Sequence, residues 1–274
     1  MGFSEKLADA VRRNGSLLCV GLDPDPAQMP VPDVVAFNRA LIEATADLVC
    51  AYKPNLAFYE ALGNAGLRAL ESTLKAVPGH IAVIGDAKRG DIGNTSRAYA
   101  KALFDVWGFD AVTVNPYLGS DSVEPFLSYA GKGVFVLCRT SNPGSAEFQA
   151  MEAHSPGTRE ERPLYEWVAL RAASWKGPAS LGLVVGATYP DELRRIRSIC
   201  PGLLFLVPGV GVQGGDLETA VRYSMDDRGG KAIINVSRQV LYASRGADYA
   251  EAARRAAQSL RERIRQAMAA RQES

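Results

Sequence analysis

The chain has 274 residues, 47% of them hydrophobic and 22% charged, with 31 Lys and Arg against 30 Asp and Glu. This composition is ordinary for a globular protein and excludes a disordered, collagenous or disulfide-framework chain, and a net charge of +1 offers no field to gather a polyanion such as nucleic acid. The longest uncharged stretch, 198–215, holds Pro201, Pro208 and five glycines, which rules it out as a membrane-spanning helix.

The first thirteen residues carry Glu5, Lys6, Asp9, Arg12 and Arg13 and lack an apolar leader core, so a soluble, untargeted, cytoplasmic chain is expected. A helix over 4–13 opens it. Short β-branched runs then recur at 17–22, 49–53, 81–86, 111–114, 133–138, 181–186, 203–207 and 231–236, which read as eight strands. Helical spacing fills intervals at 34–46, 59–76, 95–106, 164–175, 191–198 and 216–223, and a last helix covers 248–268. Strand-then-helix units without a composition break predict an α/β fold, a single-domain (β/α)8 TIM barrel over residues 1–274, with a doubly wound open sheet as the alternative. The opening helix would cover the barrel's bottom. In the last helix, Ala253, Ala257, Leu260, Ile264 and Met268 form an apolar face, and Arg254, Arg255, Arg261, Arg263, Arg265 and, just past its end, Arg271 form the solvated side. The segment 140–163 has no strong periodicity and reads equally as a lid over the barrel's carboxyl face or as surface disorder.

Cys19, Cys50, Cys138 and Cys200 lie far apart with no CxxC pair, as expected of reduced cysteines packed as small hydrophobes. His80 and His154 are the only histidines and neither has a ligand-like neighbour. That argues against a histidine-based zinc site or a Ser-His-Asp triad and leaves carboxylate-only Mg²⁺ binding open.

Charged residues stand where a barrel should be apolar. The third strand runs Ile81-Ala-Val-Ile-Gly-Asp86-Ala-Lys88, and alternation places Ile84, Asp86 and Lys88 on one face with Asp91 beyond the turn. The second strand ends in Lys53 and the first is followed by Asp23, so Asp23, Lys53, Asp86 and Lys88 can converge on the rim where barrel active sites form. Withdrawing each ion from water costs several kcal/mol, so such an array persists when its members pair or function requires them. Farther along, Pro208-Gly-Val-Gly-Val-Gln-Gly-Gly215 precedes a helix. As a dinucleotide fingerprint its GxGxxG is weak, because no acidic residue follows at a strand end. Exposed backbone N–H groups after the seventh strand and Arg238 after the eighth instead suit a phosphate.

With these motifs assembled, the sequence resembles orotidine 5′-phosphate decarboxylase of the longer bacterial type. The resemblance runs through Val20-Gly-Leu-Asp23, Tyr52-Lys-Pro-Asn55, Asp86-Ala-Lys-Arg-Gly-Asp-Ile-Gly-Asn-Thr95, Val114-Asn-Pro-Tyr-Leu-Gly119, Thr140-Ser-Asn-Pro-Gly144, the Pro208 loop and Ser237-Arg238. It implies cofactor-free, metal-free decarboxylation of orotidine 5′-monophosphate to UMP, the last step of UMP synthesis. By the same resemblance, Asp23 and Lys53 hold the ribose, and Lys53, Asp86, Lys88 and Asp91 form an alternating array with Lys88 as proton donor. Ser141 contacts the pyrimidine, and Gln213 and Arg238 grip the phosphate. Asp91 and Thr95 reach the other subunit's site, so a homodimer with shared sites is expected. Asn115 matches the pattern without an assigned role, and the stretch after Ser141 is longer than in compact members.

Three other readings stay open on the residues alone: a Mg²⁺-dependent relative of the keto-gulonate phosphate decarboxylase kind, a Schiff-base aldolase using Lys53 or Lys88, and a non-catalytic barrel that binds a phosphate ligand.

Overall fold

A computed structural model describes residues 1–272 except 155, 156, 158, 212 and 213. Helix α1 (Phe3–Asn14) ends where Gly15 turns left-handed at φ +56° and returns its N–H to the Val11 carbonyl. The barrel strands are β1 (Leu18–Leu22), β2 (Ala51–Pro54), β3 (Ala82–Arg89), β4 (Ala111–Val114) and β5 (Gly133–Arg139). After a short hairpin, β6 (Glu152–His154) with β7 (Glu161–Pro163), the barrel continues through β8 (Ser180–Val185), β9 (Leu204–Val207) and β10 (Ala232–Val236). All eight barrel strands are parallel, in the closed order β1-β10-β9-β8-β5-β4-β3-β2. Pairing of β1 with β10, Leu18 opposite Ile234 and Val20 opposite Val236, closes the ring and excludes the open sheet.

The inner and outer faces of each strand belong to different cores. Inward residues such as Cys19, Ala82, Ile84, Phe135, Leu206 and Ile233 fill the barrel, and Phe3 and Leu7 of α1 plug its bottom, where the Phe3 ring meets Phe135 edge-on at 5.9 Å. Outward residues such as Leu18, Val20, Val83 and Val112 pack under the helical layer. All four cysteines are free and buried. No helix among the described residues is long and apolar enough to cross a membrane.

The helical layer comprises α2 (Val34–Thr45), α3 (Leu56–Glu60), α4 (Gly63–Ala76), α5 (Gly93–Lys101), α6 (Ser120–Leu127), α7 (Leu164–Ser174), α8 (Pro190–Ile199), α9 (Leu217–Ser224), α10 (Arg238–Leu241) and α11 (Tyr249–Gln272). It departs from the periodicity in three places. The helix expected over 59–76 is two, α3 and α4, broken where Gly63 takes φ +59°. The one expected to 106 passes from α5 into a π-helical turn, Ala102–Val106. Helix α6, which contains Pro125, was hidden by its shortness and its proline. In α11, Ala253, Ala257, Leu260 and Ile264 are buried as expected. Three of its arginines pair with neighbouring acids, Arg254 with Asp47 at 2.6 Å, Arg255 with Asp248 at 3.2 Å and Arg263 with Glu218 at 2.8 Å.

Candidate active site

The innermost ring at the carboxyl end of the barrel lines a cavity of about 490 Å³, a size suited to a mononucleotide. Its walls differ by strand. Asp23 after β1, Lys53 of β2, Asp86 of β3, Thr113 of β4 and Asn235 of β10 make one side polar, and Leu137, Val184 and Leu206 of β5, β8 and β9 make the other apolar.

On the polar wall, Lys53 Nζ donates to Asp86 Oδ2 at 2.8 Å and Lys88 Nζ donates to Asp86 Oδ1 at 2.6 Å. The Lys53 and Asp86 side chains are 5% and 11% exposed, whereas that of Lys88 is 48% exposed and reaches over the mouth. Burial opposes the charge on Lys53, but the Asp86 and Asp23 carboxylates outweigh it and raise its pKa. Burial likewise opposes the Asp86 carboxylate, and Lys53 with Lys88 outweighs it, so its pKa lies well below the usual carboxylate range. Lys53 is therefore an ammonium and Asp86 a carboxylate at neutral pH. Beneath them, burial above all pushes the Cys19 thiol up to about 12, which keeps it protonated. Two buried oxygens, Asp23 Oδ1 and Asn235 Oδ1, have no hydrogen-bond partner among the described residues. An unpaired buried acceptor costs about 1–3 kcal/mol, and both belong to residues lining the cavity, where ligand hydroxyl or N–H donors can satisfy them.

Strand β3 departs from the simple alternation expected of it. Ile84 and Gly85 stand opposite Ala111 and Val112, but Arg89 stands opposite Val114, so Asp86, Ala87 and Lys88 together face Thr113 alone. Lys88 sits in this bulge at φ +48°, a left-handed conformation that costs a non-glycine residue about 1–3 kcal/mol. The bulge, not a period of two, aims its side chain back to Asp86.

Ser141 and Arg238 line the cavity, as their expected roles require. Arg238 forms no ion pair among the described residues. Gln213 lies outside the described residues, but the loop around it is in view: Gly209 and Gly211 take φ +93° and +77°, and Gly214 N–H bonds the Gly211 carbonyl at 2.7 Å. Gly186 gives Ser141 its place, since a Cβ there would lie 2.9 Å from the Ser141 nitrogen. Asp91 and Thr95 do not line the cavity of their own chain. Asp91 accepts a hydrogen bond from the Ile92 N–H at 2.8 Å, beside exposed Ile92, and Thr95 is exposed on α5. Asn115 accepts from the Tyr117 N–H at 3.0 Å, which makes it a turn-forming residue away from the cavity.

The segment after β5 is tied to the barrel. Gln149 Oε1 accepts the Thr140 N–H at 2.8 Å while its Nε2 donates to Thr140 Oγ1 at 2.9 Å, and Gln149 lines the cavity next to Ser141. Beneath it, buried Arg139 donates to Glu192 of α8 and to Ser145, and its guanidinium stacks 3.8 Å from the Tyr189 ring centroid. A short 3₁₀ turn, Pro143–Glu147, and the β6–β7 hairpin give this stretch regular structure that its composition did not announce. Sequence reasoning missed Thr113, Asn235 and Gln149. The first two carried a signal, as polar residues at inward positions of otherwise apolar strands; Gln149 carried none.

Comparison with known proteins identifies the family. The family model described as orotidine 5′-phosphate decarboxylase / HUMPS family matches residues 16–256. An orotidine 5′-phosphate decarboxylase of Thermomicrobium roseum is 52% identical over 279 aligned residues, covering 98% of each chain. One from Dehalococcoides mccartyi is 52% identical over 265, covering 96% of this chain and 97% of the other. Among solved structures, Leishmania donovani OMP decarboxylase superposes with a TM-score of 0.85 at 42% identity, covering 98% of this chain and 99% of that one. The ion array, the split cavity wall and these matches over nearly the whole length lead to one conclusion: the chain belongs to the orotidine 5′-phosphate decarboxylase family.

Proposed function

We propose that the whole chain acts as one catalytic domain that decarboxylates orotidine 5′-monophosphate to UMP and CO₂ without cofactor or metal. The observation that carries this reading is the Lys53–Asp86–Lys88 array, ion-paired at the rim of a nucleotide-sized cavity. Heterolysis of the bond from C6 to the carboxyl carbon leaves its electron pair on C6, where the ring delocalises it poorly. The Lys88 ammonium stabilises that charge and then gives C6 a proton, and the resulting amine recovers its proton from solvent. The buried Asp86 carboxylate keeps Lys88 positioned and disfavours a second carboxylate beside it, a stress that departure of CO₂ relieves.

In this reading the unsatisfied Asp23 Oδ1 accepts a ribose hydroxyl, Ser141 contacts the base, and Gln213 with Arg238 takes the phosphate. Binding energy from the phosphate supports the strained arrangement at C6. Asp91 and Thr95 would serve a second copy's cavity. Ile92, Tyr117 and Leu118, on the loops after β3 and β4, are exposed apolar side chains that such a copy would cover.

The direct test is loss of the orotate ultraviolet band on mixing purified protein with orotidine 5′-monophosphate, before and after exhaustive chelation. Undiminished turnover after chelation is expected. Dependence on Mg²⁺, or covalent trapping of substrate by borohydride, would reject the reading. For the shared site, Lys88→Ala mixed with Asp91→Ala should regain activity through hybrid dimers; two inactive variants that stay inactive together would refute it.

A further inference from the structure

The bulge in β3 has a single partner across the ladder, and its side chain meets every member. Thr113 is 1% exposed. Its Oγ1 accepts the Ala87 N–H at 3.1 Å and the Lys88 N–H at 2.9 Å, and donates to Asp86 Oδ1 at 3.0 Å. A hydroxyl has one proton and two lone pairs, so these three bonds use its full capacity. In a regular parallel pair, backbone carbonyls of β4 would receive N–H groups from this part of β3. The bulge puts three residues opposite one, and the Thr113 hydroxyl accepts two of the N–H groups.

The same hydroxyl thus joins the backbone that carries Lys88 to the carboxylate that receives Lys88's ammonium. Lys88 is half-exposed and has one ionic partner among the described residues, Asp86, so its position over the cavity depends on its backbone and that carboxylate. A left-handed lysine persists only where its surroundings over-determine it. Valine at this position would have nearly the same shape and none of these bonds.

We propose that Thr113 is a positioning residue for the decarboxylation: it locks the bulge at Asp86–Lys88 so that the Lys88 ammonium stands in register with the reacting carbon. The proposal rests on the role assigned to Lys88 above. Although Thr113 lines the cavity, these three bonds leave its hydroxyl no capacity for the ligand, so its loss alters turnover and leaves ground-state affinity alone.

The test compares Thr113→Val, Thr113→Ser and Lys88→Ala in the full-length protein, reading kcat and KM for orotidine 5′-monophosphate and competitive inhibition by UMP. Displacing a catalytic group by about 1 Å costs on the order of 10²-fold. Thr113→Val should therefore lose about 10²-fold in kcat. Its KM and UMP inhibition constant should stay near the wild-type values, and Thr113→Ser, which restores the hydroxyl, should recover most of the rate. Near-normal kcat in Thr113→Val beside an inactive Lys88→Ala overturns the Thr113 assignment alone. Thr113→Ser as slow as Thr113→Val also overturns it, by showing that the methyl group and not the hydroxyl matters, as does an equal loss of UMP affinity. Full turnover by Lys88→Ala overturns the role of Lys88, and this proposal with it. Should Thr113→Val not fold, Thr113→Ala against Thr113→Ser gives the same comparison.

Discussion

Replacing Asp86 by Asn isolates the electrostatics of the array, because the amide keeps the carboxylate's shape and removes its charge. In the native protein Asp86 receives Lys53 at 2.8 Å and Lys88 at 2.6 Å, and Lys53 is nearly inaccessible to water. Removing one partner of a buried pair costs about 3–5 kcal/mol, since the other charge stays buried and unpaired. The lower end applies here, because Asp23 still faces Lys53 and the amide oxygen still accepts one hydrogen bond. At about 2.1 cal/mol/K of unfolding entropy per residue, 3 kcal/mol in a 274-residue chain lowers Tm by about 5 °C. The pH dependence is more diagnostic than the size. In the native protein the Asp86 pKa is depressed from 3.8, so its contribution is complete above that value and is lost only as pH falls through the lower folded pKa. The Lys53 pKa is raised from 10.5, so its contribution is complete below that value and is lost only as pH rises through the higher folded pKa. From about pH 5 to 9 the native pair should therefore add no slope to stability. In Asp86→Asn, burial, the largest influence on Lys53, should outweigh the remaining Asp23 carboxylate and bring the Lys53 pKa below its unfolded value. The penalty is then present at neutral pH and fades as pH rises toward 10.5, so the variant should regain Tm relative to wild type between about pH 7 and 10. Differential scanning calorimetry of both proteins across that range measures this. A variant as stable as wild type at pH 7, or one whose deficit stays constant with pH, would refute the account of a buried, mutually paired array.

Other substitutions test separate parts of the site. Lys88→Ala should fold, since its side chain is half-exposed, and lose about 10³-fold or more of kcat, because electrostatic stabilisation and proton donation go together; stopped-flow or steady-state decarboxylation checks this. Arg238→Ala should lower kcat/KM by roughly 10- to 150-fold, equivalent to about 1.5–3 kcal/mol for charge-assisted hydrogen bonds to phosphate, with part of the loss in kcat. Arg139→Met should release the stretch after β5 from α8, making residues 142–151 cleavable by limited proteolysis and raising KM, while wild type resists.

The barrel was legible in the sequence because its cause is local and repeated. Eight β-branched runs alternating with amphipathic helices leave few ways to bury both faces of every strand, and Ala253, Ala257, Leu260 and Ile264 on one helix face recorded which side packs inward. The charged positions were equally legible: Lys53 and Asp86 stood out because ions at the ends of buried strands demand partners, and each is the other's. Their detailed geometry depended on contacts distant in the chain. Which residues oppose Asp86–Lys88 is a matter of register between two strands, so neither the left-handed Lys88 nor the three bonds made by Thr113 follows from the period-two pattern of β3 itself. Likewise Gln149 enters the site because Arg139, ten residues earlier, anchors its segment against α8. Composition and periodicity decided that strands and helices would form and where charge would gather; only packing of the closed ring decided which side chains share the remaining space, because hydrogen bonds across a ladder depend on distance in space and not on separation along the chain.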